Sequence, residues 1–199
     1  VDFMLDRVRA SVSPGPDGFG YFFNRDPHGL VRFEPAAIAG FEQKHGVDPL
    51  TLTDRDERLI EWRMDIITRF LRRVRETLDS VAEENGFARI KMIHVVLGSE
   101  AANRYACLDV PRWVREGLVD VLCPYPFSDC PEWWLAQGHI ETDVAYFASL
   151  VKDTPCKLVP MWLSGRHRVS WVREHVRTNE YFSKAIRDYA AGADGLTSW

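Results

Sequence analysis

Three carboxylates lie just beyond three successive apolar or aromatic runs of the sequence. They are Asp26, Glu100 and Asp129. Short apolar runs bounded by turn residues are typical of buried strands, and α/β barrels place their active sites at the carboxyl ends of parallel strands. Two carboxyl groups facing one bond can hydrolyse a glycosidic linkage, because one protonates the leaving oxygen while the other attacks or activates water. The spacing therefore indicates paired-carboxylate chemistry.

Several other side chains near the predicted strand ends could bind a substrate. Flat rings stack against sugar faces, although aromatic residues also form cores and rims. Arg63, on a long predicted helix, could pair with a strand-end carboxylate or could be a surface charge. His94, inside a predicted strand, could be a core histidine or a catalytic one. The candidate substrate-binding residues are Asn24, Arg25, Arg63, His94, Tyr125, Trp162 and Trp199.

The histidine and cysteine spacings predict neither a metal site nor a cofactor. His28 and His94 could approach each other, so a metal-dependent barrel hydrolase is one alternative, but no HxH or HExxH motif supports it. No CxxC pair occurs, and buried reduced thiols are favoured over a Cys123–Cys130 disulfide. No GxSxG motif indicates a nucleophilic serine.

Composition excludes two classes of partner. Hydrophobic residues make up 46% and charged residues 27% of the 199, as in ordinary globular proteins, and the net charge of -4 argues against a nucleic-acid surface. No apolar run reaches the roughly 20 residues that a membrane span needs. The sequence assigns no compartment.

Predicted strands and helices alternate along the chain, which indicates an α/β fold with a parallel sheet. A complete (β/α)8 barrel takes roughly 250 residues. We therefore expect a partial TIM barrel, about strands four to eight with intervening helices, and residues 1–199 as the C-terminal portion of one barrel. A five-stranded doubly wound domain is the alternative, although no glycine-rich phosphate motif follows a strand. Strands are predicted at 19–24, 90–97, 119–123, 157–163 and 193–199, and helices at 2–9, 33–49, 53–84, 109–117, 142–151 and 178–191.

Five segments together resemble a known group of proteins. They are DGFGYFFNRDP, FEQKHGVDP, EWRMDIITRFLRRVRE, WVREGLVDVLCP and YAAGADGLTSW. They look like the uncharacterised glycosyl-hydrolase-like (β/α)8 barrel proteins of the glycoside hydrolase superfamily. This resemblance extends over nearly the whole chain and implies a carbohydrate substrate, no cofactor and a missing N-terminal barrel half.

The resemblance also implies roles for the three carboxylates. Related retaining glycosidases place a nucleophilic aspartate after strand four, a position that Asp26 occupies here. The acid would come from strand five or six, hence Glu100 or Asp129. Many relatives carry an acidic residue inside the first of these strands, where this chain has Gly20 and Tyr21. That departure keeps a non-catalytic carbohydrate-binding or scaffold barrel as the alternative.

The predicted partial barrel has a consequence for the behaviour of the chain in solution. Five parallel strands without the first three leave two open sheet edges and an uncovered inner face, which favour edge pairing. We expect the 199-residue chain alone to self-associate in size-exclusion chromatography with light scattering. A monodisperse monomer that melts cooperatively would contradict the partial barrel.

Overall fold

The structure, a computed structural model, describes residues 1–23, 31, 33–126, 142–162 and 177–198, together with the backbone of two further strands. The helices are α1 Asp2–Val12, α2 Pro35–His45, α3 Glu57–Asn85, α4 Glu100–Tyr105, α5 Val110–Arg115, α6 Val144–Val151 and α7 Thr178–Ala190. The strands are β1 Gly18–Phe22, β2 Lys91–Leu97, β3 Val121–Tyr125, β4 Lys157–Leu158, β5 Met161–Trp162, β6 Gly165–Val169, β7 Val172–His175 and β8 Thr197–Ser198. A 3-10 turn spans Pro49–Thr51.

The sheet is parallel and its strands follow one another in sequence order. Strands β1 to β4 form one four-stranded sheet, and β5 pairs in parallel with β8. A doubly wound sheet reverses its strand order at a switch point, and no such reversal occurs among the described strands. The predicted α/β architecture with parallel strands and intervening helices is confirmed.

Several elements differ from the predicted ones, among them α4, which was not predicted, and α2, which ends at His45. The strand predicted at 157–163 is divided into β4 and β5 around Pro160, which has no N–H to give to a ladder. The segment nevertheless stays hydrogen-bonded to β8, because the Pro160 carbonyl accepts a hydrogen bond from the Thr197 N–H at 3.1 Å. The antiparallel hairpin β6–β7 was not predicted, since its sequence GRHRVSWVREH lacks the alternation of apolar residues that marks a half-buried strand.

Helix α3 covers one face of the sheet. Its apolar residues recur at three- and four-residue spacing, and Leu71, Val74 and Leu78 are completely buried. The N-cap is Asp56, whose side chain accepts a hydrogen bond from the Arg58 backbone N–H. The helix therefore begins at Glu57 and not at the predicted Thr53. Gly86, at φ 67°, ends it in the left-handed conformation as predicted.

Alternation along β2 divides the core between the two faces of the sheet. Met92 and Val96 belong to the large core beneath the helices. Val95 packs instead with Cys123 and Met161 in a second cluster on the opposite, inner face, because successive strand residues point to opposite sides. Cys123 is a buried free thiol, as are Cys107 and Cys156.

His94 lies on the helix side of β2 and is completely buried. Its Nε2 is 3.0 Å from the Leu118 carbonyl oxygen. Its ring contacts the aromatic rings of Tyr21, Phe23 and Trp113. Burial lowers the pKa of His94 to about 4, because the apolar surroundings disfavour the charged imidazolium.

Asp120 joins α3 to the amino ends of β2 and β3. One carboxylate oxygen accepts a hydrogen bond from the Met92 N–H at 2.7 Å, and the Arg75 guanidinium lies 3.5 Å from the same oxygen. Arg75, 7% exposed, also donates to the Ile90 carbonyl at 2.8 Å and pairs with Asp79. Arg75 therefore connects α3, the longest helix, to the sheet at the amino ends of its strands.

Replacing Arg75 tests this connection. Arg75→Met removes the side-chain donor to the Ile90 carbonyl and one partner of Asp120, which keeps its hydrogen bond from the Met92 N–H and its pairing with Arg89. We therefore expect the free energy of unfolding to fall by about 1–3 kcal/mol in urea titrations. Arg69→Met is the matched control on the same helix, because Arg69 is exposed and pairs only one turn away with Asp65. Arg69→Met should lower the free energy of unfolding by less than about 0.5 kcal/mol. If both variants lost the same free energy of unfolding, Arg75 would not be the connection between α3 and the sheet.

His94 predicts a pH dependence of stability. Its pKa is lowered from 6.5 to about 4 on folding, so its contribution is fully present above pH 6.5. The contribution is lost as the pH falls towards 4, because only the unfolded chain then binds the proton. At roughly 1.4 kcal/mol for each pKa unit, the loss is about 3 kcal/mol. His94→Gln, which cannot titrate, should show a correspondingly flatter unfolding free energy between pH 8 and pH 4. If the free energy of unfolding depended on pH equally in the wild-type protein and in His94→Gln, His94 would not be buried in its neutral form.

Candidate active site

The carboxyl ends of β2 and β3 meet the amino end of α6. The Gly98 carbonyl, just after β2, accepts a hydrogen bond from the Asp143 N–H at 2.8 Å. A Cβ at Gly98 would lie 3.1 Å from the Tyr125 carbonyl oxygen and 3.4 Å from Thr142. Glycine therefore permits the close approach of the three backbones at this point. The ends of β2 and β3 therefore lie beside each other, whereas Asp26 and Asp129 lie outside the described residues.

Glu100 is the first residue of α4, immediately after this junction. Ser99 caps the helix by accepting a hydrogen bond from the Ala102 N–H at 3.2 Å. The exposed Glu100 side chain lines a cavity of about 390 Å³ between helices α2 to α6. Cavities of this size hold small ligands. Its lining comprises Lys44, Glu61, Met64, Asp65, Glu100, Asn103, Arg104, Leu108, Asp109, Pro111, Arg112 and Tyr146.

Charges of both signs line the cavity, and several are already paired. Arg112 bridges Asp65 at 3.2 Å and Glu116 at 2.9 Å, and Arg104 pairs with Glu57. Asp109 caps α5 through the Arg112 N–H. The cavity wall therefore offers both hydrogen-bond donors and acceptors.

Tyr146 approaches the cavity from α6. Burial, with the negative charge of Glu100 as the next contribution, raises the pKa of Tyr146 to about 12. Like any tyrosine of ordinary or raised pKa, Tyr146 is protonated at neutral pH, and its O–H can donate a hydrogen bond to a carboxylate or to a ligand oxygen. The Glu100 carboxylate therefore lines the cavity beside the Tyr146 phenol, whose O–H is a hydrogen-bond donor.

Tyr125 ends β3 and lies at the same junction. Its half-buried ring packs against the inner-face cluster of Val95, Cys123 and Met161. Glu100 and Tyr125 thus follow or end neighbouring strands of the sheet, but Glu100 lines the cavity between the helices and Tyr125 packs on the inner face.

The other described site residues point away from this junction. The His94 ring is enclosed on the helix side of the sheet. Trp162, 7% exposed, donates from Nε1 to Asp188 of α7 at 2.8 Å and stacks on Tyr181. Arg63 pairs with Asp54, before α3, and its guanidinium lies over the Phe33 ring. Arg63 is therefore half-buried, and the partners that the structure gives it in the described chain lie beside α3 and not at a strand end.

The remaining predicted site residues lie outside the described part of the chain. They are Asn24, Arg25, Asp26, Asp129 and Trp199, together with His28 of the metal alternative. Their functional roles stay predictions.

Sequence reasoning missed two residues of this site, Asn103 and Tyr146. Asn103 lies in a helix of six residues, which is too short for a periodic signal. A serine after Gly98 could have indicated the N-cap and directed attention to the polar residues of the turn. Tyr146 reaches the cavity from a different crossover helix, and no local pattern could predict that contact.

The described residues offer neither a metal-binding cluster nor a membrane-spanning helix. No group of three or more His, Cys, Asp or Glu side chains there could hold a metal ion. None of the helices in that part of the chain is long and apolar enough to cross a membrane.

Comparisons with known proteins identify the fold and not a family. No family model matches the sequence, and no curated protein matches it. The chain is similar to the structure of the PgaB (BpsB) glycoside hydrolase domain from Bordetella bronchiseptica, with a TM-score of 0.64 and 14% identity over 100% of this chain and 56% of that one. It is also similar to bee venom hyaluronidase, with a TM-score of 0.43 and 12% identity over 89% of this chain and 58% of that one. The chain thus spans little more than half the length of these structures, and its fold is like that of a glycoside hydrolase domain.

Proposed function

We propose that the protein is a glycoside-hydrolase-like barrel that hydrolyses glycosidic bonds of a carbohydrate by paired-carboxylate acid–base catalysis. One observation carries the proposal. Glu100 lines a polar cavity of about 390 Å³ at the carboxyl end of β2, in a fold like that of a glycoside hydrolase domain. Active sites of (β/α)8 enzymes lie at this end of their strands.

The proposed roles follow from what each group can do. Glu100 is the general acid that protonates the leaving oxygen. Asp26 is the nucleophile or the base, and Asp129 is the reserve for either role. Tyr125 contributes an aromatic face at the strand ends, while Asn24 and Arg25 bind substrate hydroxyls. Trp162, Arg63 and His94 are enclosed by protein contacts, so we assign them to the support of the fold.

We further propose that residues 1–199 form the C-terminal portion of a single (β/α)8 barrel, with β1 in the place of strand four. The sequential strand order and the 56% coverage of the similar domain support this arrangement. Phe22, at the end of β1, is 50% exposed. A preceding barrel strand would cover it.

A non-catalytic carbohydrate-binding barrel is the second candidate, and β1 favours it. The side chain of Tyr21 packs on the helix side against Phe70. A Cβ at Gly20 would lie 2.7 Å from the Ile93 carbonyl oxygen. No carboxylate therefore extends from the described part of β1. On this proposal the cavity binds sugar without cleaving it.

Substitution of the carboxylates tests the catalytic role. In the full-length protein, Glu100→Gln and Asp26→Asn should each lower kcat at least about a hundredfold, because each removes proton transfer or the nucleophile. The measurement is release of reducing ends from a panel of neutral, acidic and amino-sugar polysaccharides. Asp129→Asn is assayed in parallel, to show whether the reserve carboxylate takes part.

Glu84→Gln is the matched control, because Glu84 pairs with Arg9 at the far end of α3. It should keep the wild-type rate. Wild-type rates for both Glu100→Gln and Asp26→Asn would show that the catalytic assignment is wrong. Saturable sugar binding without hydrolysis by the wild-type protein would establish the second candidate.

A further inference from the structure

Asn103 is a buried polar side chain whose hydrogen bonds are all directed at the turn that precedes Glu100. Only 2% of the residue is exposed. Its Oδ1 accepts a hydrogen bond from the Leu97 N–H at 2.9 Å. Its Nδ2 donates to the carbonyl oxygens of Leu97 at 2.8 Å and Ser99 at 2.9 Å. The amide therefore contacts the backbone on both sides of Gly98.

Asparagine is suited to this task by its chemistry. A planar amide offers an acceptor and two donor hydrogens, so it can bind the N–H and the C=O of Leu97 together, much as a neighbouring strand would. Aspartate would lose both donors and turn its charge towards two carbonyl oxygens. Alanine would remove the acceptor of the buried Leu97 N–H and the side-chain donor to the Leu97 carbonyl, whereas the Ser99 carbonyl would keep its hydrogen bond from the backbone N–H of residue 103. Proteins rarely leave buried backbone groups without partners.

The same turn is held from its other side by α6. The Gly98 carbonyl accepts the hydrogen bond from the Asp143 N–H, and Ser99 caps α4. Asn103 binds the two residues that flank Gly98. Together these contacts leave the backbone at Glu100 little freedom, and they determine where its carboxyl group enters the cavity.

We propose that Asn103 is a positioning residue that holds Glu100 at the carboxyl end of β2. This inference rests on the proposed function, in which Glu100 is the acid. Asn103 acts through the backbone and not on substrate, since its amide is occupied by Leu97 and Ser99. Displacing a catalytic group by about 1 Å can cost a hundredfold in rate. The asparagine would therefore affect kcat much more than KM.

The first test measures the position of Glu100 without any substrate. The Glu100 carboxyl ¹³C resonance, assigned with Glu100→Gln, is titrated by NMR in the wild-type protein, Asn103→Ala and Asn103→Asp. We expect its chemical shift or its titration midpoint to change in both Asn103 variants, together with faster hydrogen exchange at the Leu97 N–H. Asn85→Ala is the control, because Asn85 donates a similar bond to the Val81 carbonyl at the far end of α3. It should leave the Glu100 signal unchanged.

The second test measures turnover on a responsive polysaccharide. Asn103→Ala and Asn103→Asp should lower kcat about tenfold to a hundredfold with KM nearly unchanged, while Asn85→Ala keeps both constants. An unchanged Glu100 signal in the Asn103 variants overturns the inference, whatever their activity. A changed signal in a protein that hydrolyses no glycan supports the positioning role and refutes the proposed function instead.

The wild-type protein provides a further check if the variants do not fold. A side-chain amide with two short hydrogen bonds to buried carbonyls should give two resolved, slowly exchanging Nδ2 proton signals for Asn103. Rapid exchange of those protons with solvent would overturn the inference.

Discussion

The burial of one face of the parallel sheet beneath α3 is the contact on which the rest of the structure depends. Parallel strands joined by crossover helices place apolar side chains against those helices, and neither layer is stable without the other. Leu71, Val74 and Leu78 are fully enclosed in this contact, and each contributes about 1.5–3 kcal/mol. Trp113 of α5 extends the same core and donates a hydrogen bond from its indole to Thr68 of α3 at 2.9 Å. The helix layer thereby fixes the strands that carry the candidate site.

Buried polar groups at the two ends of the sheet have different tasks. At the amino ends of the strands, Asp120 and Arg75 connect the start of β2 to α3. At the carboxyl ends, Asn103 arranges the turn from which Glu100 extends into the polar cavity. On the proposed function, stability and chemistry would lie at opposite ends of the sheet, as they commonly do in barrel enzymes. The separation lets loops at the site vary while the opposite end keeps the sheet together.

Much of the fold could be predicted from the order of the residues. The three- and four-residue spacing of apolar positions in α3, its stop at Gly86, and the apolar runs of β2 and β3 are local signals, and the structure confirms them. The alternation of strands and helices then implies parallel pairing, because parallel strands need crossover connections. At the site, the place of Glu100 after β2 could likewise be predicted, since it depends only on where the strand ends.

Tertiary structure alone decided which way the side chains face. The runs that contain His94 and Trp162 are apolar on both sides, so the sequence has no alternation to show which residues face the helices. Strand pairing and packing set that choice, and a shift of one residue would reverse it. The contacts of Asn103 with Leu97, and the approach of Tyr146 to the Glu100 cavity, likewise depend on segments brought together by folding. Local patterns therefore indicated α3, the strands β1 to β3 and their alternation with helices, but not α4 or the β6–β7 hairpin. Which polar groups contact one another depends on register and on distances between segments in the folded chain, which no local pattern contains.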